Sequence, residues 1–227
     1  MWTDRQGGVS AAPYDEANVA EHVGDDEAAV TENRRRLAAR LGLPDPAGWC
    51  WLRQVHGRAV ADAAPAAAVS PPEADAAVTT VPGLPLVVQT ADCAPIALVS
   101  DDALGVVHAG WAGLLDGVVD AAVARLRSVG TGRVRAALGP CIHPDDYEFG
   151  RVDLDRLVAT LGSSVESRTR QGTPALDLPE AVGSALARAG VDEIVDVDVC
   201  TFSSPDHFSH RRDGATGRQA LVAVLDV

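Results

Sequence analysis

Between Asp25 and Leu41 the apolar residues Val30, Leu37 and Leu41 recur along one face of a helix. Asp25 stands where an N-cap is needed, and Gly42 with Pro44 ends the run. Leu115, Val118, Val119, Ala122 and Leu126 fall at i, i+3, i+4, i+7 and i+11, which predicts a second helix closed by Gly130. Two more helices are expected over Leu154–Leu161 and Pro179–Ala189, on either side of a polar loop. The remaining apolar sequence comes in short β-type runs. These are Cys50–Val55, Ala76–Thr80, Leu84–Thr90, Ile96–Ser100, Leu104–Val107, Val134–Leu138, Ile194–Val199 and Ala220–Leu225. The Ala/Pro tract from Ala61 to Pro72 is expected to be a surface loop.

Helices and strands are interspersed without strict βαβ alternation. The pattern therefore predicts a layered α/β fold, a mixed sheet flanked by helices, in one domain covering residues 1–227. No internal repeat or domain linker stands out.

Composition narrows the chemistry. The formal net charge is −13, from 19 basic and 32 acidic residues, and every basic residue is Arg. Without Lys there is no ε-amine for a Schiff base, for pyridoxal-phosphate attachment or for the Lys of a phosphate-binding loop. So acidic a surface also opposes binding to nucleic acid, whose phosphates reward clustered cations. The first ten residues lack the apolar core of a secretory signal, and no apolar run is long enough for a membrane span. The four Cys then read as thiols, and a cytoplasmic location is expected.

Of the six His, two end predicted strands with Gly close behind: His56 before Gly57, and His108 in His108-Ala109-Gly110-Trp111. Cys93 lies between them at the end of another apolar stretch, in Ala91-Asp92-Cys93. Strand ends let side chains from distant parts of a chain converge, and Gly admits close neighbours. A His/Cys/His set suits zinc, with the fourth tetrahedral position left open as in catalytic sites. Spacing alone leaves the alternatives open, because the gaps of 36 and 14 residues match no finger or ribbon. A buried structural His and a small buried Cys are the bland readings of the same residues. Asp145, Asp146 and Glu148 are weaker acid/base candidates. Arg34-Arg35-Arg36 reads as a solvated helix face. Arg211, Arg212 and Arg218 bracket a Gly-containing turn that is either a charged hairpin or an oxyanion site.

Taken together, eight motifs occur in order: Arg5-Gln6-Gly7-Gly8-Val9-Ser10, His22-Val23-Gly24-Asp25-Asp26, Asn33-Arg34, Gln54-Val55-His56-Gly57, Ala91-Asp92-Cys93, His108-Ala109-Gly110-Trp111, Gly139-Pro140 and Thr216-Gly217-Arg218. In this the chain resembles the YfiH family, also called the multicopper polyphenol oxidase or laccase-domain family. The resemblance implies a zinc-dependent purine nucleoside phosphorylase for adenosine, inosine and methylthioadenosine, with adenosine deaminase activity beside it. It places the metal ligands, and with them the catalytic centre, at His56, Cys93 and His108. Inorganic phosphate is the implied co-substrate, with Arg5, Arg211, Arg212 and Arg218 as candidate contacts.

Two positions depart from the family pattern. Ala112 stands where Arg usually follows the Trp, and Asp145-Asp146 stand where a Cys pair is common. With no Lys to substitute, another Arg must supply the cation that Ala112 does not provide.

Zinc held by three ligands lowers the pKa of its water towards roughly 7, which suits attack on C6 of adenine. Phosphorolysis instead requires phosphate held against the sugar C1′ and a stabilised departing purine. Three rivals remain. One is a metal-free cysteine hydrolase using Cys93 with His108 as base. Another is a copper-dependent polyphenol oxidase, for which six His are too few, although copper could still bind in vitro. The third is a non-catalytic accessory protein linked to cell-wall assembly. The chain is expected to act on small molecules as a monomer or homodimer, with neither nucleic acid nor membrane as partner.

Overall fold

A computed structural model describes residues 1–65, 70–191 and 193–226. Its strands are β1 (Val60–Asp62), β2 (Ala76–Thr79), β3 (Leu86–Thr90), β4 (Ala94–Val99), β5 (Leu104–Ala109), β6 (Arg135–Leu138), β7 (Glu166–Arg168), β8 (Pro174–Leu176), β9 (Ile194–Asp196) and β10 (Gln219–Ala223). Its α-helices are α1 (Glu27–Leu41), α2 (Trp111–Asp116), α3 (Val118–Val129), α4 (Arg151–Leu161), α5 (Leu178–Arg188) and α6 (His210–Asp213).

Six strands form one sheet in the order β1-β2-β5-β4-β6-β9. Its two outer pairs, β1 with β2 and β6 with β9, are parallel, and the inner pairs are antiparallel. The expected mixed sheet is the one observed. β3 and β10 make a separate antiparallel pair, and β7 with β8 a small hairpin.

The period of two in the strands builds the layers. Ala76, Val78, Val107 and Ala109 face a core shared with Val118, Val119, Ala122 and Leu126 of α3 and with apolar residues of α2, α4 and α5. The alternate residues Ala77, Leu104 and Val106 face the other way, onto Leu86, Val88 and Leu221 of the β3–β10 pair. That pair turns Val87, Ala220 and Val222 outward onto Leu37 and Ala38 of α1 and onto Trp49 and Trp51. Four layers result: helices, six-stranded sheet, two-stranded pair and α1. Being covered on both faces, the central strands read as continuous apolar runs instead of alternating ones. Each fully buried Leu in this stack contributes roughly 1.5–3 kcal/mol.

Several sequence expectations need correction. α1 is capped by Asp26, whose carboxylate accepts from the Ala29 N–H, while Asp25 accepts from Ser10 and Asn18. The helix expected around Leu115–Leu126 is two helices, because Gly117 adopts φ +85° and ends α2 before α3 begins. Cys50–Val55 is not a strand. It makes only single bridges, Cys50 to Leu86 and Arg53 to Glu73, because Trp51 and Leu52 are buried by packing and not by a ladder. The expected loop from Ala61 begins later, since Ala61 and Asp62 belong to β1, and its residues 66–69 lie outside the described residues. The polar loop before α5 contains the β7–β8 hairpin. Arg34 is not on a solvated face. Its guanidinium lies 3.8 Å over the Trp51 ring, whereas exposed Arg35 and Arg36 pair with Glu32. Among the described residues no helix is long and apolar enough to cross a membrane.

Candidate metal centre

His56 and Cys93 sit on turns, and His108 sits on β5 one residue before its end. The main chain at both turns is unusual. His56 has φ +59° and Asp92 φ +91°, a region that residues with a Cβ enter at a cost. Surrounding hydrogen bonds hold both turns in place. The Asp75 carboxylate, wholly buried, accepts from the backbone N–H groups of Val55 (3.2 Å), His56 (2.9 Å) and Gly57 (2.8 Å). It also meets His108 Nδ1 at 2.8 Å. Asp92 accepts from the Thr201 hydroxyl (2.6 Å) and from the Arg211 N–H (2.6 Å), and its carbonyl accepts from the Ile142 N–H.

These contacts converge three donor atoms. The ligand atoms of His56, Cys93 and His108 all lie within 4.8 Å of one another. Cys93 Sγ is 3.8 Å from His56 Nε2, against roughly 3.5 Å for an S–N edge of a tetrahedral zinc site. Asp75 holds the Nδ1–H of His108, so Nε2 is free to ligate. His108 is buried, Cys93 partly exposed and His56 exposed, which opens the set to solvent on one side. A Cβ at Gly110 would stand 2.8 Å from His56 Cδ2 and 3.1 Å from Cys93 Sγ, so only Gly fits beneath the ligands. Borderline-soft donors, a tautomer fixed from behind and an open side all fit a metal ion.

Burial pushes the Cys93 thiol up, but the imidazoles of His108 and His56 outweigh it and bring the thiol well down. The reverse holds for His108. Burial pushes it down, and the Cys93 thiolate with Asp75 outweighs that and raises it. Each group thus favours the charged form of the other. Asp75 is also pushed up by burial, and the His108 ring with the Gly57 and Val55 N–H groups brings it below the ordinary carboxylate range.

The fold brings the three predicted ligands together and distinguishes the four arginines. Arg5 donates to the Asp15 carbonyl and pairs with its carboxylate at 3.2 Å. Arg212 donates to the carbonyls of Thr201, Phe202, Ser204 and His207 and pairs with Asp213. Arg211 donates to the Glu148 carbonyl and lies 4.8 Å over the Tyr147 ring. Arg218 donates to the carbonyls of Thr216 and Gly217. Among the described residues neither Arg211 nor Arg218 forms an ion pair. Burial lowers the pKa of Arg218, while the charges of Cys93 and Asp92 act to raise it, which puts its guanidinium in the field of the trio. Asp145 and Asp146 both bond to Arg170, and Ala112 is half-buried in α2.

Residues 1–226 match the family model described as "Multi-copper polyphenol oxidoreductase laccase". The chain belongs to this family. Relatives in it include the purine nucleoside phosphorylase ORF3 of Streptomyces griseus, 46% identical with 99% of this chain and 93% of that protein covered. The purine nucleoside phosphorylase SCO2081 of Streptomyces coelicolor is 45% identical, with 99% and 94% covered. Among solved structures, YlmD from Geobacillus stearothermophilus superposes with a TM-score of 0.90 at 33% identity, covering 100% of this chain and 91% of that one. The eight ordered motifs point to the same family. They do not reveal Asp75, an acid directly before the buried strand β2.

Proposed function

We propose that the protein is a zinc-dependent purine nucleoside phosphorylase, acting on adenosine, inosine and methylthioadenosine, with adenosine deaminase activity beside it. The observation that carries this reading is the convergence of His56, Cys93 and His108 within 4.8 Å on an open side of the fold. The names of relatives above 40% identity supply the substrate class. Zinc would be held by these three residues and would supply Lewis acidity there.

The chain's own residues supply the rest. In phosphorolysis a phosphate oxygen bonds to C1′, the C1′–N9 bond breaks, and the purine leaves with the bonding pair and takes a proton. Phosphate must be held by Arg, because the chain has no Lys. Arg218 is best placed for this, being near Cys93 and without an acidic partner among the described residues, and Arg211 is second. Arg5 and Arg212 already hold carboxylates and carbonyls. Asp75 keeps His108 in one tautomer and one orientation.

Measuring bound metal, then free purine from adenosine or inosine with and without phosphate, tests the reading. Phosphate-dependent purine release that vanishes with the metal in Cys93→Ala is expected. Equal product from the metal-free variant overturns it. One observation favours a second reading. The lowered Cys93 thiol beside His108 is also the makeup of a metal-free cysteine hydrolase. Activity that survives chelation but not Cys93→Ala would select that reading.

A further inference from the structure

An arc of aromatic rings runs past the trio. Trp111 follows Gly110, the residue beneath His56 and Cys93, and its ring meets Phe149 edge-on at 5.6 Å. Phe149 in turn meets Tyr147 edge-on at 5.4 Å. At the far end the Arg211 guanidinium lies 4.8 Å over the Tyr147 ring. Arg211 is tied back to the trio, because its backbone N–H donates at 2.6 Å to Asp92, the residue before Cys93. The Asp92 carbonyl also accepts from the N–H of Ile142, five residues before Tyr147. Both ends of the arc are therefore fixed to backbone that carries or underlies the ligands.

Tyr147 is the member of the arc with a polar end to offer. The residue is 8% exposed and packs in the main apolar core. A buried Tyr usually finds a partner for its O–H. This hydroxyl has none among the described residues, yet it is not shut away from solvent as the unpartnered hydroxyls of Thr90 and Thr216 are. Oη therefore reaches open space. Of the charges that act on it, Cys93 comes first, ahead of Arg211 and Asp92, which puts Oη in the neighbourhood of the sulfur. Burial, and then the Cys93 charge, push the phenol well up, so it keeps its proton at neutral pH.

We infer that Tyr147 is a catalytic residue whose hydroxyl donates a hydrogen bond to N7 of the departing purine. The assignment rests on the function proposed above. As the C1′–N9 bond breaks, its electron pair enters the five-membered ring of the base, and N7 shares the charge that builds up there. A donor at N7 stabilises that charge, more strongly in the transition state than in the bound nucleoside. The phenol keeps its proton throughout, and the released purine takes one from solvent. Adenine and hypoxanthine both present N7 as an acceptor, so one hydroxyl serves adenosine, inosine and methylthioadenosine alike. The half-buried rings of Trp111 and Phe149 add apolar surface for the flat base.

The test is steady-state phosphorolysis by the metal-loaded protein and by Tyr147→Phe, which keeps the ring, its place in the core and the face under Arg211. Metal content should be unchanged and the KM for inosine should stay within about twofold, while kcat falls about hundredfold. The substrate 7-methylinosine separates this role from a structural one. Its purine leaves as a neutral base and has no free N7 to accept a hydrogen bond, so its turnover should not fall in the same variant. An unchanged kcat for inosine overturns the assignment. So does an equal loss for both substrates, or a loss that follows metal content, since Tyr147 would then hold the site and not the leaving group. Each of these results leaves the phosphorylase reading standing. Wild-type protein that releases no hypoxanthine from inosine in the presence of phosphate overturns both.

Discussion

Two polar regions meet near Cys93, and they use their groups in opposite ways. Around the trio, buried Asp75 and Asp92 are acceptors whose partners are nearly all backbone N–H groups and one hydroxyl. Their role is to fix turns, and they leave Sγ of Cys93 and the Nε2 atoms of the two imidazoles free to share a ligand. In the segment from Thr201 to Arg218 the donors are arginines, and Arg212 fills its guanidinium with four carbonyls of its own loop. The contrast separates scaffold from site by one criterion: which polar groups the fold has left unoccupied. By it, Arg212 belongs with the scaffold, whereas Arg218 holds two carbonyls and no acidic partner among the described residues, although both are arginines near the same turn.

The sharpest break in that comparison is Asp75→Asn, which swaps one acceptor oxygen for a donor facing N–H groups. Metal affinity should fall 10–100-fold, read by competition with a chromogenic chelator. An unchanged affinity would detach Asp75 from the centre. Gly110→Ala comes next. Its methyl would press on His56 and Cys93, so metal content should drop while α2 and the sheet still form, as circular dichroism would show. The two arginines then divide by assay. Arg212→Met should lower stability by about 2 kcal/mol in urea melts with little change in the KM for phosphate. Arg218→Met should raise that KM about tenfold and leave the melt nearly unmoved. A swap of these two outcomes would reverse the assignment of scaffold and site. The smallest effect is Asp26→Ala, which removes the cap of α1 far from the centre. It should cost about 1 kcal/mol without altering turnover.

The convergent trio was legible in the sequence because local signals mark it: strand ends, adjacent Gly and scarce residue types. Asp75 carried no such mark. It is one of 32 acidic residues, and its importance comes from where residues 55–57 and His108 return in space. Arg212 and Arg218 likewise differ only through contacts that no local pattern records. The sheet strands were visible as apolar runs, whereas β7 and β8, three residues each, hide in polar sequence. The break at Gly117 was hidden because α2 and α3 keep their apolar stripe nearly in phase across it.

The pairing of β3 with β10 also sets the order in which the molecule can be completed. Leu86–Thr90 is apolar throughout most of its length and is wrapped on both faces, but its only ladder partner among the described residues is Gln219–Ala223. On a ribosome the gap of some 130 residues amounts to roughly ten seconds or more, during which that edge has nothing to pair with. Such an exposed strand is a template for another chain. Nascent chains stopped before Gln219 should therefore be held by chaperones or aggregate, and chains released past Ala223 should not.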